Sequence, residues 1–127
     1  MSLSVYARNK LLDAMLRGVD FDPTPVYISL HTADPGTTGA SEVSGGTYAR
    51  QPVSTSNWNA AASGQTSNVS SITFSGIAVS TIITHVGIWD AVSGGNFLSG
   101  GSLTAPRTVL ALESDVFTPG SLIAALS

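Results

Sequence analysis

The chain has 127 residues, of which 43% are apolar and 10% charged, with a net charge of −3 and no cysteine. That length suits one domain around one core, and the missing cysteine removes disulfides, thiol catalysis and thiolate metal sites. Lys10, Arg8 and Arg17 cluster near the start while Arg50 and Arg107 stand alone, so no basic stripe exists and binding along a nucleic-acid backbone is not expected.

The stretch SVYARNKLLDAMLRG (4–18) predicts the one helix. Ala7, Leu11 and Met15, with the adjacent Leu12 and Leu16, recur at three- and four-residue steps and form one apolar stripe. Ser4 is placed to cap the start, and Gly18 to close the end in a left-handed conformation. Arg17, in the last turn, complements the helix dipole. Two prolines make 19–25 a connector that cannot continue the helix.

From residue 26 the period changes to two. Val26, Ile28 and Leu30 alternate with Tyr27, Ser29 and His31, which predicts a strand with one buried face. Residues 33–46 read as a long loop with Asp34-Pro35-Gly36 as its clearest turn. TYARQPV (47–53) returns to extended structure, with Pro52 on an edge or at a strand end. Residues 54–68 are small and polar apart from Trp58, a loop that admits a short strand. The segment 69–79 contains another strand.

TIITHVGIWDA (81–91) is the strongest β signal. Both of its alternating sets are largely apolar, so it is expected to be central and covered on both sides. VSGGN (92–96) reads as a hairpin turn. Strands are expected over 97–104 and 106–117, then a Pro-Gly turn and a last strand over 121–127. The prediction is a mainly β single domain, 1–127: a helix in 1–18, then an antiparallel β-sandwich or jelly-roll-like unit in 26–127. No signal peptide is read at the start, so folding in a cytosol is expected. No apolar run approaches the ~20 residues of a membrane helix, so no membrane contact is expected.

Catalytic patterns are weak. His85 lies mid-strand and His31 at a strand end, and no Gly-x-Ser-x-Gly turn is present. His31/Asp34 and His85/Asp90 are near pairs without a third local ligand, so no metal is expected. Glu42, Asp90, Glu113 and Asp115 are carboxylates that glycosidase chemistry would need in a cleft. Each stands beside a turn or a strand end. The Gly-Gly pairs at 45–46, 94–95 and 100–101 are followed by neither a helix nor a lysine, so they read as turns and bulges, not phosphate loops. The expectation is no enzyme and no cofactor.

The segments YARNKLLDAMLRG, SLHTADPG, EVSGGTYAR and THVGIWDA followed by SGGNFLSGGSLTAPRTV, in that order, resemble a family of small bacteriophage structural proteins. These are usually labelled tail fibre proteins and are akin to head decoration, or cement, proteins. The resemblance implies a non-enzymatic virion protein, assembled in the host cytoplasm, with itself as partner in a homotrimer and the major capsid protein or other virion proteins as neighbours. Capsid decoration is the leading expectation, and a tail-fibre or tail-tip module that recognises a host surface is the alternative.

On that reading the helix and the 33–46 loop supply candidate interface residues Leu11, Met15, Arg17, Asp34 and Glu42. Tyr48, Arg50 and Trp58 are candidate anchors, because these residue types are enriched in interface hot spots. Trp58 is either such an anchor or a core residue. Tyr48 and Arg50, two apart, share one side of an expected strand. If that side is covered, Arg50 reaches a carboxylate such as Glu42. A host-binding module would expose Tyr27, Tyr48 and Trp89 as an aromatic cluster.

Overall fold

A helix forms where the apolar spacing puts it. In the computed structural model, which describes residues 1–126, α1 runs from Val5 to Arg17, after a two-residue strand β1 (Ser2–Leu3). The Ser4 hydroxyl accepts the Ala7 N–H at 3.0 Å, and Gly18 closes the helix at φ 66° with its N–H on the Asp13 carbonyl. The stripe, however, is not buried as a whole. Ala7 is buried and Leu11 half-buried, while Leu12, Met15 and Leu16 face solvent. At ~100° per residue, Ala7, Leu11 and Ala14 fall on one side of the helix and Val5, Leu12 and Leu16 on the opposite side. The helix rests on the sheet by the first side, against β1 and β7.

The remaining elements follow in order: β2 (Val26–His31), β3 (Gln51–Val53), a 3₁₀ turn at Thr55–Asn57, β4 (Gln65–Ser67), β5 (Ile72–Phe74), β6 (Thr81–Trp89), β7 (Phe97–Val109), β8 (Asp115–Phe117) and β9 (Ile123–Ala125). Ser127 of the expected last strand lies outside the described residues. Five strands form one antiparallel sheet in the order β1-β7-β6-β2-β3. Two short ribbons, β5–β8 and β4–β9, lie apart from it. The result is mainly β and sandwich-like, with the helix at the N-terminal end.

The core lies on one face of the sheet. Ile28, Leu30, Val53, Ile83 and Val86 pack there with Ile72, Phe74, Ile77, Phe117 and Leu122. Phe74 and Phe117 meet edge to face at 6.0 Å. The opposite face carries Ser29, His31, Gly87, Trp89 and Phe97 under the 33–46 loop. A Cβ on Gly39 of that loop would lie 2.4 Å from the Trp89 ring. The central strand β6 is therefore covered on both sides, as its two apolar sets required. Gly87 is demanded by this packing, since a Cβ there would sit 2.6 Å from Ser29 Oγ and 2.7 Å from His31 Nε2.

Three expectations need correction. The strands expected over 97–104 and 106–117 are one strand up to Val109. Its partner residue jumps from Ser102, opposite His85, to Arg107, opposite Ile83. Pro106 falls inside this irregularity, where its missing N–H breaks no ladder bond. The strand expected from Thr47 begins at Gln51; Tyr48 and Arg50 precede it. Pro52 does lie on the edge strand β3, opposite Tyr27. Strand β1 was not foreseen, because two residues carry no periodicity; it pairs with Ser99 and Gly100.

Candidate functional site

The loop EVSGGTYAR closes on itself before it reaches the sheet. Val43 N–H donates to the Leu30 carbonyl at 2.9 Å, which continues the edge of β2. Gly45 and Gly46 turn the chain at φ 95° and 58°. A Cβ on Gly46 would lie 2.3 Å from the Gly76 carbonyl oxygen, so glycine is required by a close backbone approach.

Arg50 then turns inward. Its Nε donates to Glu42 Oε1 and its Nη2 to Oε2, both at 2.9 Å. Its Nη1 donates to the Ala91 carbonyl at 3.0 Å and the Gly94 carbonyl at 2.8 Å, in the β6–β7 turn. The guanidinium also stacks 3.5 Å from the Trp89 ring. Tyr48 completes the group: its hydroxyl accepts the Leu30 N–H at 3.0 Å and donates to Glu42 Oε1 at 3.2 Å. Burial pushes the Tyr48 phenol well above its usual range, so it remains a donor. One arginine thus ties the glycine loop to the hairpin turn, with the covered arrangement and Glu42 as the carboxylate. An open groove of about 400 Å³ lies between the two loops, lined by Glu42, Gly45, Gly46, Tyr48, Arg50 and Gly94.

A second polar chain continues beneath Trp89. Its indole N–H donates to Ser29 Oγ at 2.9 Å, and Ser29 Oγ lies 2.7 Å from His31 Nε2. His31 Nδ1 lies 2.7 Å from the Ala40 carbonyl. A carbonyl can only accept, so Nδ1 carries the proton and Nε2 accepts from the serine hydroxyl. This serine–histidine contact has the spacing of a nucleophile and its base. Both residues are nevertheless at 0% exposure, and the hydroxyl is already engaged by the indole, so no substrate reaches it.

Burial holds the His31 imidazole below its ordinary value of 6.5, outweighing the Ala40 carbonyl and the Glu42 charge, while the Arg50 and His85 charges act in the same direction as burial. Below about 6.5 the unfolded chain takes up a proton that the folded chain resists. Stability should therefore be full above that value and fall as pH drops from it toward the lower folded value. Urea unfolding at pH 7.5, 6.5 and 5.5 is expected to show this loss, and the His31 ring resonances should not titrate through 6.5. Ring titration at 6.5 would contradict the buried neutral imidazole.

The other sequence candidates are scattered. Leu11 is half-buried, and Arg17 is exposed with an ion pair to Asp13 at 3.2 Å. Asp34 accepts the Gly36 N–H at 2.8 Å as the turn required. Trp58 is partly buried against the core. Trp89 is buried and Tyr48 half-buried, so the exposed aromatic cluster at Tyr27, Tyr48 and Trp89 is not formed. Asp115 is buried against Arg107 and Asp90 holds the hairpin through Asn96, so neither carboxylate faces a cleft. Among the described residues no group of three or more His, Cys, Asp or Glu is placed to hold a metal, and no helix is long and apolar enough to cross a membrane.

Two features escaped the sequence. Asn68, read as loop, is almost fully buried at the junction of the two ribbons. An apolar cavity of about 370 Å³ lies between α1, β7 and β9, lined by Leu3, Leu11, Phe21, Ile88, Leu98 and Leu126.

Fold and surfaces together define a small β-rich structural domain whose buried polar side chains Arg50, Ser29, His31 and Asn68 are held in internal hydrogen bonds, and whose helix presents an apolar outer face. A protein-family model described as podophage GP4 fiber I protein gp80 matches residues 2–125, and the chain belongs to that family of bacteriophage structural proteins, components of the virion. No curated protein matches the chain.

Proposed function

We propose that this chain is a non-enzymatic subunit of a phage fibre, assembled in the host cytoplasm and built into the virion by contacts with its own copies and with other virion proteins. The observation that carries the reading is the family match over residues 2–125, whose description is of a fibre protein. The internal pairing of Arg50, Glu42, Tyr48 and His31 supports it, because these residues hold the fold and leave assembly to apolar surface. Capsid decoration is the second reading. It is favoured by the single small domain without internal repeats. Cryo-EM or antibody labelling of intact particles separates the two. Density or label at the tail is expected, and label confined to the head lattice would transfer the protein to the capsid. Purified protein incubated with a broad hydrolase panel is expected to give no turnover.

A further inference from the structure

We infer that the outer face of α1 joins copies of this chain in parallel and in register. The face is made by Val5, Asn9, Leu12 and Leu16. Their spacing is four, three, four, the alternation that keeps one seam facing a partner helix. The seam lies opposite Ala7 and Leu11, which seat the helix on the sheet. It is uncovered: Val5 is 55% exposed, Leu12 50% and Leu16 78%, and the flanking Met15 71%. Folded monomers seldom leave so long a row of large apolar side chains in water.

The flanks and the one polar seam residue select the occupant. Arg8 lies on one flank and Asp13, five residues on, lies on the other. In a parallel in-register pair those flanks face each other across the seam, so Arg8 of each copy meets Asp13 of the next. Antiparallel packing sets like flanks together and leaves that pairing unmade. Asp13 at present holds only the exposed Arg17 contact, a weak competitor. Asn9 points the same way. Against a foreign apolar helix its amide would be left without a partner. Against its own copy, in register, amide meets amide, and a single polar seam residue of this kind specifies alignment. The occupant is therefore a second copy of the chain. The helix is already folded by its Ser4 and Gly18 caps and by the sheet, so association bears no cost of helix nucleation. The helical seam runs from Val5 to Leu16, about 17 Å, so each contact is weak and gains strength from repetition along an assembly.

This inference deepens the fibre reading and rests on copies meeting in the particle. Its test is made in solution, so it succeeds or fails independently of where virions carry the protein. Sedimentation equilibrium of the full chain is expected to show concentration-dependent association. Leu12→Glu with Leu16→Glu should weaken it at least tenfold without moving the thermal midpoint, because both side chains are exposed. The chain has no cysteine, so orientation is read with Asn9→Cys. Under mild oxidation that variant should form a covalent dimer at least tenfold faster than Thr37→Cys, an exposed loop control. A monomer at all concentrations to the millimolar range would overturn the inference. So would association that survives the Leu12/Leu16 double change, or Asn9→Cys cross-linking no faster than the control.

Discussion

Replacing Asn68 with aspartate is expected to destabilise the protein by about 3–5 kcal/mol, the cost of an uncompensated buried charge. The Asn68 amide nitrogen lies within 2.9–3.2 Å of the carbonyls of Ser70, Phe117 and Thr118. Its oxygen accepts the Leu122 N–H at 2.9 Å. Aspartate has the same shape but would aim a second negative oxygen at carbonyls. Asn68 stands between β4 and β5, as does Ser70, while Phe117 ends β8 and Thr118 and Leu122 stand between β8 and β9. The two ribbons are one long antiparallel pair interrupted at this residue, and the amide supplies the bonds that the interrupted ladder cannot. Urea unfolding at pH 7 measures the loss. Because the substituted carboxyl would ionise reluctantly when folded, its folded pKa would be raised. Part of the stability should then return as pH falls through that raised value. A loss below 1 kcal/mol at pH 7 would show that the break is held by backbone contacts alone.

Arg50→Ala is expected to cost about 3 kcal/mol, at the low end for breaking a buried ion pair. Arg50 is 9% exposed, but Glu42 keeps 21% of its side chain in water, which softens the penalty. The Ala91 and Gly94 carbonyls lose their donor and Trp89 loses the cation on its face. Arg50→Lys should recover little, since an ammonium cannot span both Glu42 oxygens and the two carbonyls together. Amide hydrogen exchange should quicken around 42–50 and 91–95 in both variants. Wild-type unfolding of the lysine variant would show that charge alone, without the planar fork, holds the loops.

Much of the architecture was legible because it follows from local chemistry. Ser4 and Gly18 bound α1 by capping, which acts over a few residues. The two apolar sets of β6 announced a strand buried on both faces, and Asn96, Gly94 and Gly95 announced its hairpin. The resemblance to phage tail fibre proteins, carried by motifs spread along the chain, agreed with the family match. Where the reading slipped, a partner distant in sequence had decided. Pro106 looked like a strand break and lies inside β7, because the irregularity opposite β6 relieves it of a ladder bond. Trp89 and Tyr48 looked available to a ligand, but the 33–46 loop folds over one and Glu42 engages the other.

The sequence by itself determined the helix and its capped ends, the mainly β character of the rest with the central strand β6, and the chain's sparse charge. It also carried the choice for Arg50 between an exposed face and a carboxylate such as Glu42. Only the tertiary structure decided between them, because a guanidinium is satisfied by whatever oxygens the fold brings within 3 Å. The same holds for α1. Apolar spacing shows that a helix has a face to bury, but not which apolar side chains the sheet will take. Ala7 and Leu11 fit against β7, and the row from Val5 to Leu16 was left exposed.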